Sequence, residues 1–125
     1  KVHKSWGRIE DEQGKTFRTS ITQALTSNSQ LIQIATWNDW GEGTMIEPSR
    51  KYGYRDLKVL QDMRRKHIDA RFPATEADLK LPARLLALWR KWPEKSKQLD
   101  RIGEFIATGK LAQARSDLRT FERGP

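Results

Sequence analysis

The run Leu31-Ile32-Gln33-Ile34-Ala35-Thr36-Trp37 decides how this chain of 125 residues is read. It is nearly continuously apolar and β-rich, the pattern of a strand buried on both faces in a parallel sheet flanked by helices. On its N-terminal side, Thr16–Ser27 spaces Phe17, Ile21, Ala24 and Leu25 as the stripe of an amphipathic helix. Thr16 fits as its N-cap and Asn28-Ser29 as its stop. On the C-terminal side, Asn38–Lys51 holds Gly41, Gly43, Pro48 and Ser49 and reads as a long loop. Tyr54–Asp69 then returns to helical spacing through Tyr54, Leu57, Leu60, Met63 and Ile68. Helix, buried strand, loop and helix make one slice of an α/β fold.

A lone strand has nowhere to send its backbone hydrogen bonds, and a buried one needs partners on both sides. Within the chain only Val2–Trp6 offers any. The expectation is therefore that neighbouring strands lie upstream of Lys1 and that the chain is the tail of a larger protein. After Phe72-Pro73 the character changes to helical segments at Ala83–Trp92, Glu94–Thr108 and Lys110–Arg123. Leu99, Ile102, Phe105 and Ile106 form one apolar stripe, and Leu111, Ala114, Leu118 and Phe121 form the next. Gly109 between them predicts a helical hairpin, and Trp89 and Trp92 read as packing residues.

The 24 Lys and Arg against 16 Asp and Glu give a net charge of +8. Such a basic chain ordinarily points to a nucleic-acid or anionic-surface partner. The charge is unevenly spread, however. No Lys or Arg stands between Arg18 and Arg50, and residues 31–49 hold three carboxylates, Asp39, Glu42 and Glu47. The basic helix 54–69 lacks the interleaved aromatics of a nucleic-acid platform, so no nucleic-acid partner is expected. The absence of cysteine excludes a disulfide scaffold, a Cys-ligated zinc site and a Cys nucleophile. No apolar run is long enough to span a membrane. His3 and His67 lack metal-ligand spacing, and neither a metal nor a cofactor is expected. His67 reads as part of a solvated helix end, whereas His3, beside Trp6, is a candidate to reach the site.

Chemistry is sought in the acidic loop. Asp39 and Glu42 stand three apart on a turn just beyond the predicted strand's C-terminal end, where α/β folds place catalytic side chains. Gly41 and Gly43 let the backbone bend closely around a ligand. Trp37 and Trp40 offer indole faces to a sugar ring, and Asn38 offers an amide to its hydroxyls. Paired carboxylates beside aromatics suit glycoside hydrolysis, one as acid and the other as base or nucleophile. Spacing alone leaves a plainer alternative open, with Asp39 capping a turn, Glu42 solvated and the Trp residues in the core.

The run Thr36-Trp37-Asn38-Asp39-Trp40-Gly41-Glu42-Gly43-Thr44-Met45-Ile46-Glu47-Pro48, followed by Tyr52-Gly53-Tyr54, resembles the end of glycoside hydrolase families 71 and 99. Its first half is similar to the family 71 α-1,3-glucanase motif, and Gly-Thr-x-Ile-Glu-Pro to the family 99 endo-α-mannosidase ending. Family 99 members usually carry Glu where this chain has Asp39, and often His where it has Gly41. Arg8–Arg18 resembles the stretch entering the seventh barrel helix of family 99-like proteins, and the likeness covers about residues 5–69.

The resemblance implies that residues 1–70 are the C-terminal end of a (β/α)8 TIM barrel, an α/β fold. Thr16–Ser27 would be its seventh helix, Leu31–Trp37 its eighth strand and Tyr54–Asp69 its eighth helix, with 71–125 an all-α extension. It implies cleavage of α-linked glucans or mannans, with Glu42 as general acid and Asp39 as base. Trp37, Asn38, Trp40, Glu47 and Tyr52 would bind substrate, an oligo- or polysaccharide. The chain alone would be inactive without the missing N-terminal strands. A polymeric substrate favours, by analogy, a periplasmic or secreted bacterial enzyme. Two alternatives are a related barrel protein of polysaccharide biosynthesis and a basic helical binding module.

Overall fold

A computed structural model describes residues 7–124, so His3 and the proposed partner segment Val2–Trp6 lie outside the described residues. Five α-helices follow in order: α1 (Lys15–Thr26), α2 (Arg55–His67), α3 (Leu81–Lys91), α4 (Ser96–Ala107) and α5 (Leu111–Arg123). Short 3₁₀ turns at Glu12–Gly14, Glu76–Lys80 and Pro93–Lys95 precede α1, α3 and α4. The chain divides into two compact units, the first ending at Ala70 and the second beginning at Arg71.

No strand occurs among the described residues, whose one β-like pairing is the isolated bridge between Ser49 and Gly53. The fold is all-helical, and the expectation of an α/β TIM-barrel fragment is corrected on this point. Leu31–Trp37 fails as a strand for the reason its solitude already suggested. Side chains suited to a sheet do not make one unless a second backbone takes up the ladder. Residues 31–35 make no ladder hydrogen bonds among the described residues. Leu31 is 83% exposed, and only Ile32 packs inward.

In the first unit α1 packs on α2. Ile21 of α1 is buried with Val59 and Met63 of α2, flanked by Phe17, Leu25, Ile32 and Leu60. The Thr22 hydroxyl, which donates to the Arg18 carbonyl at 2.7 Å, lies 3.6 Å from Met63 Sδ. Ile68, predicted on the apolar face, is exposed because α2 ends at His67. His67 is not the solvated end residue expected: its Nε2 is buried without a hydrogen-bond partner among the described residues.

Ahead of α1, Gly14 takes φ +88°, and a Cβ there would stand 2.6 Å from Arg55 Nε. Only glycine fits both constraints. The space it leaves is filled by the Arg55 guanidinium, which donates to both oxygens of Asp11 at 2.8 and 2.7 Å and to Asp56 at 2.8 Å. One arginine thus ties the approach to α1 to the first turn of α2. The hydrogen bond from Arg55 holds the Asp11 carboxyl below the usual range, and Asp56 and Asp11 raise Arg55 further.

The second unit is a three-helix assembly in which α3, α4 and α5 all touch one another. Its core is Leu81, Leu85 and Leu88 from α3, Leu99, Ile102 and Phe105 from α4, and Ala114 and Leu118 from α5. Trp89 and Trp92 pack against this core. Between α4 and α5 the chain turns at Gly109, φ +74°. There the Lys110 N–H reaches the Phe105 carbonyl at 2.8 Å and the Gly109 N–H the Ile106 carbonyl at 3.2 Å, the paired bonds of a Schellman motif.

Two ion pairs close the second unit. Arg84 on α3 grips Glu122 on α5 through two bonds of 2.7 Å. Buried Asp78 receives the Thr75 N–H at 2.7 Å, the Thr75 hydroxyl at 2.8 Å and Arg115 of α5 at 2.9 Å. Burial alone would raise the Asp78 carboxyl, but the Thr75 bonds and Arg115 outweigh it and hold the carboxyl low. The Arg84 hydrogen bond does the same to Glu122.

A carboxyl lowered in the folded state stabilises the fold above its unfolded value and loses that stabilisation as pH falls through the folded value. Helical content should therefore hold above about pH 5 and fall progressively below about pH 4. An Asp78→Asn variant followed by circular dichroism should lose stability at neutral pH and show a flatter acid limb. An acid limb unchanged in that variant would remove Asp78 from the account.

Candidate functional site

The stretch 27–54 between α1 and α2 contains no helix and carries every candidate site residue that lies among the described residues. It is nevertheless held in a definite shape. The Thr36 N–H donates to the Thr44 carbonyl at 3.2 Å, and the Ile46 N–H returns to the Thr36 carbonyl at 3.2 Å. The Glu47 N–H reaches the Trp37 carbonyl at 2.9 Å, and the Thr36 and Thr44 hydroxyls lie 3.1 Å apart. These bonds pinch residues 36–37 against 44–47 and throw Asn38–Gly43 outward as a loop. Within it the Thr36 hydroxyl accepts the Asp39 N–H at 3.1 Å. Asp39 Oδ1 in turn accepts the Glu42 N–H at 2.9 Å.

The plainer alternative is thus realised in part. Asp39 does cap a turn, as an acidic side chain two or three residues ahead of an open N–H commonly does. Its second oxygen accepts no hydrogen bond among the described residues, and the exposed Glu42 carboxylate has no partner there. Neither indole is in the core: Trp37 is 51% and Trp40 52% exposed.

The structure brings together Trp40, Glu47 and Tyr52. The Trp40 indole N–H donates to Glu47 Oε2 at 3.1 Å. Both residues line an open groove of about 570 Å³ together with Met45, Pro48, Ser49, Arg50, Lys51 and Tyr52. Its size falls within the range of small-ligand sites, about 300–1,000 Å³. Asp39, Glu42, Trp37 and Asn38 do not line this groove.

Tyr52 arrives there by turn chemistry that the sequence reading passed over. The Ser49 hydroxyl accepts the Tyr52 N–H at 3.0 Å, and Ser49 and Gly53 exchange backbone bonds of 3.2 and 2.8 Å. Gly53, at φ +57°, closes the turn. The Pro48-Ser49…Gly53 spacing is the signal that marks it. Arg50 and Lys51 are charged groove residues that the sequence does not single out, and Met45, Pro48 and Ser49 join them in the lining. The Lys51 ammonium lies 4.9 Å and the Arg55 guanidinium 4.6 Å from the Tyr52 ring centroid. Arg55, the tie between Asp11 and Asp56, therefore also backs one wall of the groove.

Among the described residues no group of three or more His, Asp or Glu side chains is placed to hold a metal ion. No helix there is long and apolar enough to cross a membrane.

Residues 8–60 match the model of a family described as glycosyltransferase WbsX. The match takes in the whole loop and groove and stops short of the second unit. It connects this stretch to carbohydrate-active enzymes without separating hydrolase from transferase, and it does not single out glycoside hydrolase family 71 or 99. No curated protein and no solved structure matches the chain.

Proposed function

We propose that residues 36–52 are the sugar-contacting part of a carbohydrate-active enzyme that acts on α-glycosidic bonds through carboxylate acid–base chemistry. The observation that carries this reading is the groove lined by Tyr52 and by the Trp40 indole, which Glu47 holds, inside a stretch matched by a carbohydrate-active family. An indole held by its N–H keeps its ring in one plane, which suits it to receive the apolar face of a sugar. Glu47 Oε1 remains to accept a sugar hydroxyl.

In this reading Glu42 gives a proton to the oxygen leaving the anomeric carbon, and that C–O bond breaks. Asp39 takes a proton from the incoming hydroxyl, and the new C–O bond forms. The incoming group is water in hydrolysis, the leading reading. A second reading, transfer to another sugar's hydroxyl, is favoured by the description of the matched family. Both use the same two carboxylates; free reducing sugar as product marks the first and a lengthened glycan the second. Trp37 and Asn38, on the outward loop, are assigned to flanking contacts with the glycan. A nucleic-acid partner is not proposed.

The test is binding. The chain titrated with α-linked gluco- and manno-oligosaccharides should show saturable quenching of tryptophan fluorescence. Trp40→Ala should weaken that affinity by about tenfold, the equivalent of about 1.4 kcal/mol. Trp89 and Trp92, in the second unit, should be bystanders when changed to Phe. Equal affinity in Trp40→Ala, or no saturable binding of any α-linked glycan, would remove the groove as a sugar site.

A further inference from the structure

The groove has an electrostatic character that a neutral sugar does not need. Its lining holds two cations, Arg50 and Lys51, against one carboxylate, Glu47. Arg50 and Lys51 are both exposed, and neither makes an ion pair among the described residues. Asp11 and Asp56 are bound by Arg55, with Lys51 acting on Asp11 only from beyond ion-pair distance, and Glu47 accepts the neutral Trp40 indole. Lys51 is drawn toward the groove wall by the Tyr52 ring, 4.9 Å from its ammonium. The turn Ser49–Gly53 fixes the backbone of both cations.

We propose that this groove takes a sugar bearing one carboxylate, a hexuronate unit of an acidic oligosaccharide. Arg50 and Lys51 receive the carboxylate, the Trp40 indole packs on the ring, and Glu47 accepts a ring hydroxyl. The balance of charge selects the ligand. Two cations beside one carboxylate complement a monoanion, whereas a phosphate carrying nearly two charges would meet Glu47 at close range. The planar guanidinium of Arg50 matches a carboxylate through two parallel hydrogen bonds. The inference rests on the sugar-site reading above and names the substrate class for it.

The test compares one acidic and one neutral ligand of the same shape. Isothermal titration of the 125-residue chain should show a glucuronate-containing trisaccharide binding at least about tenfold tighter than its glucose counterpart at low salt. The gap should narrow as salt rises. Arg50→Gln with Lys51→Gln should abolish the preference, bringing the acidic ligand down to the affinity that the same variant shows for the neutral one. Arg50→Lys with Lys51→Arg should keep the preference. Circular dichroism confirms that each variant retains its helices.

Equal binding of the two trisaccharides, or a preference that survives the double Gln variant, overturns this inference and leaves the sugar site standing. Tighter binding of glucose 1-phosphate than of the glucuronate ligand overturns it in favour of a phosphorylated sugar. Failure of both trisaccharides to bind overturns the sugar site itself.

Discussion

Glu42→Gln is expected to lower turnover of an α-linked glycan by about 10²–10⁴-fold while leaving its affinity within about twofold, as loss of a general acid does. Gln preserves the shape of the side chain and removes only its ability to give up a proton. Glu42 is exposed and unpartnered among the described residues, so the exchange breaks no contact there, and its backbone N–H still donates to Asp39. Asp39→Asn is the informative companion, because an Asn side-chain oxygen can also accept that N–H and keep the turn. A fall in kcat of similar size, with helicity and binding unchanged, assigns Asp39 to the chemistry. Full activity in Asp39→Asn leaves it a turn cap. If Glu42→Gln turns over glycan at the parent rate, the acid is elsewhere, and Glu47 in the groove is the carboxylate to change next.

Leu99→Ala is expected to cost about 3–4 kcal/mol and to unfold much of the second unit. Leu99 is fully buried at 0% exposure, on the face of α4 that meets α3 and α5. Removing its branched end loses the transfer energy and leaves a cavity with all three helices at its rim. A unit beginning at Arg71 is small, and small units bury a modest share of their surface and hold only a few kcal/mol in reserve. Urea titration followed by far-ultraviolet circular dichroism reads the loss as a transition moved to low denaturant. Leu86→Ala, at a 43% exposed position on α3, is the control and should change stability by no more than about 0.5 kcal/mol. Comparable losses in both variants would mean that the α3–α4–α5 core does not dominate this unit.

The helices were legible because their information is local and periodic. Leu99, Ile102 and Phe105 repeat at helical spacing and are buried, and Ala114 and Leu118 do the same on α5. The α1 stripe through Ile21 likewise lies where the 3.6-residue period places it, and so do Leu60 and Met63 of α2, whereas Val59 is buried outside the predicted stripe and Ile68 is exposed; helix ends shift by one or two residues. Leu31–Trp37 misled because strand character in side chains is a statement about neighbours. With no second backbone paired to it among the described residues, its β-branched residues do not by themselves make a strand.

The site divides along the same line. Gly41, Gly43 and the acidic spacing announce an irregular loop, and Asp39 taking the Glu42 N–H is a local event within its reach. Arg55 gripping Asp11 joins residues 44 positions apart and leaves no periodic trace. The place of Tyr52 in the groove depends on the Ser49–Gly53 turn, which Ser49 and Gly53 close by exchanging backbone bonds. Arg50 and Lys51 were absorbed into a count of basic residues, which has no direction in space.

The stretch between Thr26 and Arg55 is spanned at both ends by helices that already pack on each other. Closing such a connection costs entropy only logarithmically in its length, so doubling it would cost about 0.6 kcal/mol. The α1–α2 pair therefore sets little limit on how long this connection is or which residues it displays. Evolution can insert, delete or exchange residues around Asn38–Gly43 and Pro48–Tyr52 while the supporting helices stay as they are. What fixes this connection is then the demand of its own site and not the helices, with Gly14, Arg55 and Asp11 as the clasp that holds its ends together.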